Sequence, residues 1–449
     1  MTVTPAAPSP RLGAEIADLL RLALPVVLSR AGIMMLQIVD TVVVGRYSAH
    51  ELAYQSIGIA PMITITVGAV AFMMGTLVLV AEAHGGGRDA ECGAAWRRSL
   101  PWVVWLGLAA IGLTLFAEQA LLASGQTADL SAGGARVAQV MGLSVPGLLL
   151  FSTSTYFLEG LKRPMPGLVA MAAANVVNLI LNLVLVPGAF GLEPMGAVGS
   201  AWATMVSRTL MGLGLFAYIW WMPGRDRFGI RQKPPRARNP RRLQRRIGIT
   251  SALSGVIEDT GFTVLNLFAG WLGALAVAGF AIGVNLVGLV FMVALGIGTA
   301  TAVRVGNARG RGDRSGVARI GWLGFAFNTV MMAVAGGAIA LAPLAIMQVF
   351  TDDPALIALT APILAIVALM MVLDGGQVVF SNALRGLGDT WVPTALHTIS
   401  YLMIMGPVGW VLAFPGGLGL RGLFIGMMIA SGMSLLVLSL RFHRLSRQV

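Results

Sequence analysis

"WLGALAVAGFAIGVNLVGLVFMVALGIGTATAVRVGNARGRGD", residues 271–313, decides the architecture. No Asp, Glu, Lys or Arg falls between Ala274 and Val303, and arginines crowd the far end at Arg304, Arg309 and Arg311. An uncharged run of this length exceeds the roughly 20 apolar residues a helix needs to cross a bilayer. Similar runs recur along all 449 residues: 57% of the chain is hydrophobic and 11% charged, whereas soluble domains are about a quarter charged. Hydrocarbon offers the backbone no water, so such spans are helices or strands of a closed barrel. These runs are continuous and too long for alternating barrel strands. The expected fold class is an all-α polytopic membrane protein.

Twelve spans are expected, at approximately 18–44, 52–82, 97–121, 135–159, 166–187, 196–222, 247–270, 274–304, 316–348, 356–384, 392–414 and 421–442. Ten of the 31 Lys and Arg residues lie between Arg225 and Arg246. Others fall at Arg88, Arg97, Arg98, Lys162, Arg163, Arg304 to Arg319, Arg385 and Arg441 to Arg447. These groups occupy every second connection, and the alternate ones hold little beyond Arg46, Arg136 and Arg421. That is the positive-inside pattern. It places both termini and the long central loop in the cytoplasm, as in a bacterial inner-membrane protein. The net charge of +12 is thereby explained by topology and by contact with anionic lipid headgroups, so no nucleic-acid partner is expected. The N-terminus lacks the charged start and short apolar core of a cleaved signal peptide, so the first helix is expected to stay. The glycine-rich "GNARGRGD" follows an apolar span and lacks a GK[ST] ending, so it reads as a tight connection with a basic edge rather than a phosphate loop.

The two halves repeat. "VVGRYSAHELAYQSIGIAPMI" sits over "FAGWLGALAVAGFAIGVNLVG", Gly75-Thr76 over Gly298-Thr299, "GGGRD" over "GRGD", and "LEGLKRP" over "LRGLGDT", all at one shift of about 224 residues. Six spans per half keep the copies in the same orientation, related by an axis along the membrane normal, and such transporters bind cargo between the lobes. The expected organisation is a tail at 1–16, a first lobe at 17–222, a basic Pro-containing linker at 223–246 and a second lobe at 247–449.

Ionisable residues inside spans are costly, about 2.5–3.5 kcal/mol for an Asp at the helix centre, and they normally face a bundle interior or wet cavity. At ~1.5 Å per residue, Glu258 lies about 18 Å beyond Arg246, and Asp374 about 16 Å from Arg385. Two carboxylates on spans seven and ten therefore share a level near the membrane middle. Facing each other, they would hold one proton or one small cation and could exchange it for another cation. Asp40 sits in the outer third of span one, and Arg30 or Arg208 could instead neutralise it as a structural ion pair. Asp259 points about 100° away from Glu258, so a helix–helix partner and a second-lobe cavity role both stand open for it. Gln37, Asn178, Asn182 and Asn285 are further polar candidates for the two cavities, against interhelical hydrogen bonding. Asn328 is read as such a bond. Pro25 is the hinge candidate in span one, and Pro61, Pro101 and Pro146 could kink theirs.

These residues resemble the multidrug and toxic compound extrusion (MATE) transporters, and their NorM-like branch best. The resemblance runs from about residue 17 to 442 and rests on "VDTVVVGRYS", "GIGTATAVRVGNARGRGD", "LRGLGDTWVP" and the span-seven segment Glu258-x-Thr260-x-Phe262. It implies that Glu258 and Asp374 are the coupling-ion carboxylates and that Asp40 is an acid of the first lobe's cavity. Asn182 stands where DinF-like proteins carry an aspartate, which favours the NorM-like assignment. Two departures bear on the ion. Met370 stands where NorM-like proteins can carry a tyrosine, and Phe280-Ala281 replaces the family's His-Gln pair. Both tilt the expectation from Na+ towards H+.

The expected function is an antiporter that exports organic cations or amphiphilic drugs against inward H+ or Na+. The alternative is a flippase for a lipid-linked saccharide, which would need an Arg- and Lys-lined chamber. An enzyme is not expected, because no HExxH, GxSxG or GxGD pair is present. The lone Cys92 and the four scattered histidines offer neither a disulfide framework nor metal-ligand spacing. The expected partners are lipid and small organic cargo, no cofactor beyond the coupling ion is called for, and a monomer is expected.

Overall fold

A computed structural model describes residues 12–232 and 240–448. The first lobe begins with α1 (Leu12–Tyr47), then α2 (Ala49–Phe72) and α3 (Met74–Gly85), which make one span broken at Met73. Next, α4 (Asp89–Thr114) bends by 51° into the short α5 (Ala117–Ala123). The lobe closes with α6 (Ala128–Gly160), α7 (Met165–Leu185) and α8 (Gly196–Trp221). The second lobe holds α9 (Pro240–Leu272), α10 (Ala274–Gly310), α11 (Arg314–Leu341) and the short α12 (Pro343–Phe350). Span ten joins α13 (Pro354–Thr360) to α14 (Leu364–Gly386) through a 3-10 turn. Span eleven runs from α15 (Trp391–His397) through a π-helical segment (Thr398–Met405) into α16 (Gly406–Ala413), and α17 (Leu420–Ser446) ends the lobe.

Among the described residues, nine helical segments, or ten with the α4–α5 pair, are long and apolar enough to cross a bilayer. The 26-residue α8 and 33-residue α9 complete the twelve. Their hydropathy is lowered by Arg208 in α8, and by the opening PRRLQRR and the Glu258-Asp259 pair in α9. The fold is the all-α, two-lobe bundle the sequence predicts.

Local chemistry sets the ends. Ser48, Thr127 and Asp313 accept backbone N–H bonds at the starts of α2, α6 and α11, which satisfies donors that a helix start otherwise leaves free. Gly273, with φ +109°, makes the turn between α9 and α10, a conformation closed to most side chains. Pro25, Pro61, Pro101 and Pro146 all lie inside continuous helices, since neighbouring helices can satisfy the backbone groups a proline frees. The breaks fall at Met73, around Phe116 and at Ala342, so span nine stops at Leu341 rather than 348.

The lobes are built alike. α6 packs against α2, α4 and α8, and its repeat counterpart α14 packs against α10, α11 and α17. The lobes meet through α2 with α9, α3 with α10, and α1 with α10. At the end of the bundle that carries the basic connections, the two repeated glycine stretches touch each other. A Cβ on Gly85 would strike the Asn307 carbonyl, and one on Gly310 would strike that of Glu82. Only glycine allows α3 and α10 to approach so closely.

The expected linker is partly folded. Phe228 and Ile230 are buried, Gly93 N donates to Phe228 O (2.8 Å), and Arg97 Nη1 donates to Gly229 O (2.8 Å). This segment packs back on α4, because its apolar residues cover an apolar helix face. Pro240 to Arg246 form the start of α9, while Pro234 and Pro235 lie outside the described residues.

Candidate functional site

In the second lobe four elements bring polar groups together in an apolar bundle. α14 places Asp374 and Gln377 three residues apart on one face, as helical spacing requires. Gln377 Nε2 donates to Asp374 Oδ1 (2.7 Å) and to Tyr401 Oη (2.7 Å). Tyr401, in the π-helical segment, donates in turn to Glu258 Oε1 of α9 at 3.4 Å. Ser431 of α17 adds a bond to Asp374 Oδ1 at 3.0 Å. Glu258 and Asp374 are thus joined through a phenol and an amide rather than directly. Asp374 and Tyr401 are buried and Glu258 half-buried. Behind Asp374 lies a narrow apolar crevice lined by Val287, Phe291, Met332 and Met371. Among the described residues no Lys, Arg or His lies within ion-pair distance of either carboxylate.

Tyr401, Gln377 and Ser431 were missed in the sequence. Gln377 carried a usable signal, being one turn from Asp374. Tyr401 did not, because π-helical winding shifts the register in a way that no periodicity shows. Met370 is buried, as a packing residue, and the phenol reaches the acids from span eleven instead. Arg385, expected in a basic connection at the end of span ten, is buried, with Nη1 3.9 Å from Met74 Sδ of the other lobe. α14 continues to Gly386 and carries Arg385 into the lobe contact. Asp259 leaves the Glu258 site. It accepts a hydrogen bond from Thr64 Oγ1 of α2, across the lobe boundary. Asn285 is exposed and donates to Ala281 O of its own helix (2.8 Å).

The first lobe holds a second buried acid. Asp40 Oδ1 accepts from Asn178 Nδ2 (3.1 Å) and Asn182 Nδ2 (2.8 Å), and Oδ2 accepts from Thr204 Oγ1 of α8. All four residues are buried. The i, i+4 asparagines of α7 therefore act together on one carboxylate. The ion pair weighed for Asp40 is not formed. Arg30 pairs with Glu159 at 3.8 Å and lies over the Tyr156 ring at 5.2 Å. Arg208 Nη1 donates to Ser144 Oγ at 3.0 Å. Gln37 is exposed and its side chain takes no part in the Asp40 cage.

Outside the spans, Asp89 accepts from His84 Nδ1 (2.6 Å) and Arg227 Nε (2.6 Å). Burial alone would push its carboxyl up, but these two partners hold it below the usual carboxylate range.

Known proteins share this architecture. The MatE family profile matches residues 25–184 and 251–411, one stretch per lobe. A "probable multidrug resistance protein NorM" of Caulobacter vibrioides is 40% identical over 432 residues, covering 96% of this chain and 92% of that protein. A protein of the same description from Burkholderia mallei is 33% identical over 458 residues, covering 98% and 95%. A solved structure described as MATE in the bent conformation superimposes with a TM-score of 0.87 at 19% identity, covering 97% of each chain.

Proposed function

The chain belongs to the MatE family, and on that premise we propose that it is a cation-coupled antiporter that exports organic cations or amphiphilic drugs. It is a multi-pass protein of the bacterial inner membrane, with the basic end of the bundle and both termini in the cytoplasm, and it performs no chemistry on its cargo. Glu258 and Asp374 are the coupling-ion site. Asp40, within its Asn178–Asn182–Thr204 cage, is the acid of the first lobe's cavity. The central linker lets the lobes tilt against each other.

The observation that carries this reading is the hydrogen-bonded chain Glu258–Tyr401–Gln377–Asp374. Two acids whose hydrogen-bond partners are all neutral, inside a membrane, gain by taking a proton or a sodium ion. The ion would remove the negative charge that attracts a cationic cargo, so loading of one favours release of the other. One pH unit supplies about 1.4 kcal/mol, and each charge crossing 100 mV about 2.3 kcal/mol. For an uncharged amphiphile both terms add and sustain a gradient of a few hundred-fold; one-for-one exchange with a monovalent organic cation moves no net charge, so one pH unit alone sustains about tenfold. The capture of Arg30 by Glu159 removes a cation that a saccharide-pyrophosphate flippase would use.

The test is dye efflux from proteoliposomes with pH and Na+ gradients imposed separately. Glu258→Gln and Asp374→Asn are each expected to abolish gradient-driven efflux while the protein remains folded and monodisperse. Wild-type efflux by both variants would overturn the assignment.

A further inference from the structure

At the basic end of the bundle, away from both acid sites, a cavity of about 210 Å3 opens between the lobes. Its charged walls are Glu15 and Asp18 of α1, Lys162 between α6 and α7, Arg304 of α10, Arg311, Asp313 at the start of α11, and Arg319. Four cations thus meet three acids, and two of the acids are already engaged. Arg319 Nε lies 2.8 Å from Glu15 Oε1. Asp313 Oδ1 caps α11, accepting from Gly316 N (2.8 Å) and Ser315 Oγ (3.1 Å). Asp18 is solvent-exposed. Arg304 is different: it is only 7% exposed, and its Nη1 has no hydrogen-bond partner among the described residues. A buried donor without an acceptor is costly, more so when charged. Lys162 reports the same surplus. Although its side chain reaches solvent, partial desolvation, and then the nearby guanidinium groups of Arg311 and Arg304, lower its pKa from the ordinary lysine value against the pull of Asp18.

We propose that this cavity is a binding site for a phosphate-bearing anion, supplied as the headgroup of an anionic lipid or as free phosphate. Guanidinium groups match phosphate oxygens geometrically and an ammonium adds a point charge. Basic pockets between membrane helices at headgroup level are suited to lipid phosphates. The anion would accept from Arg304 Nη1, with Lys162 and Arg311 closing over it. Because Lys162 belongs to the first lobe and Arg304 and Arg311 to the second, the bound anion ties the lobes together where α3 and α10 touch. The site is independent of the coupling chemistry proposed above.

The experiment uses the purified full-length chain, delipidated in a non-ionic detergent. In one arm inorganic phosphate is titrated calorimetrically against chloride at matched ionic strength. In the other, thermal unfolding is followed in mixed micelles with phosphatidic acid or with phosphatidylcholine. Saturable binding of inorganic phosphate identifies the free anion. A stabilisation specific to phosphatidic acid, without phosphate binding, identifies the lipid. In either case Arg304→Gln and Lys162→Gln should each weaken binding at least about tenfold, and Arg421→Gln at the opposite end should not. If Arg304→Gln fails to fold, Lys162→Gln and Arg311→Gln, at exposed positions, carry the test. Absence of a saturable response in both arms, or wild-type affinity in the site variants, overturns the proposal.

Discussion

Substituting Gly310 with alanine should open the bundle at its basic end. A Cβ on residue 310 would fall on the carbonyl oxygen of Glu82 and 2.7 Å from Gly86 N. Both are backbone atoms of the other lobe, so no rotamer change relieves the clash and only separation of α3 from α10 does. Overpacking of this kind costs about 1–3 kcal/mol. At 1.36 kcal/mol per tenfold, the closed-to-open ratio should fall roughly 5- to 150-fold. Spin labels on Ala90→Cys and Ser315→Cys, one on each lobe, would report the change as loss of the short-distance component in pulsed dipolar spectra. Cys92 is buried and should not compete for label. Gly337→Ala is the control, because nothing lies within 4 Å of its Cβ. Identical distance distributions for Gly310→Ala and the parent, or an equal shift in Gly337→Ala, would refute the claim that the lobes are held where Gly310 meets Glu82 and Gly86.

Asn182→Ala removes the 2.8 Å donor to Asp40 and should cost about 1–3 kcal/mol, read as a lower thermal midpoint in detergent. Arg30→Leu strands buried Glu159 and should destabilise by about 3–5 kcal/mol, and the double variant Arg30→Leu/Glu159→Leu should regain most of that; equal midpoints for the single and double variants would contradict the pairing. Asp89 has a folded-state pKa below its unfolded value, so its contribution is present above the unfolded pKa and is lost as pH falls through the folded one. Stability should therefore fall by one component as pH drops below about 4, and Asp89→Asn should abolish that pH-dependent component.

The extent to which the sites could be read ahead of the structure varies by residue. Glu258 and Asp374 stand out because a carboxylate in an apolar span violates the surrounding pattern. Asn178 and Asn182 share a helix face by simple spacing. Thr204 and Ser431 gave no signal, since a hydroxyl in a membrane helix can be satisfied by its own backbone. Arg304 and Arg385 looked like topological charges at span ends. Their burial follows from how far α10 and α14 extend, which composition does not encode.

Composition and periodicity alone settled that this chain crosses a membrane as two repeated sets of six helices. Hydrocarbon forbids unpaired backbone, so apolar run length and charge placement are enough. Which polar groups meet was decided only in three dimensions. The bond from Tyr401 to Glu258 spans 143 residues, and that from Asn182 to Asp40 spans 142. Arg30 chose Glu159 over Asp40. Such choices depend on helix rotation and depth in the packed bundle, set by the sum of many weak contacts, and no local stretch of sequence carries that sum.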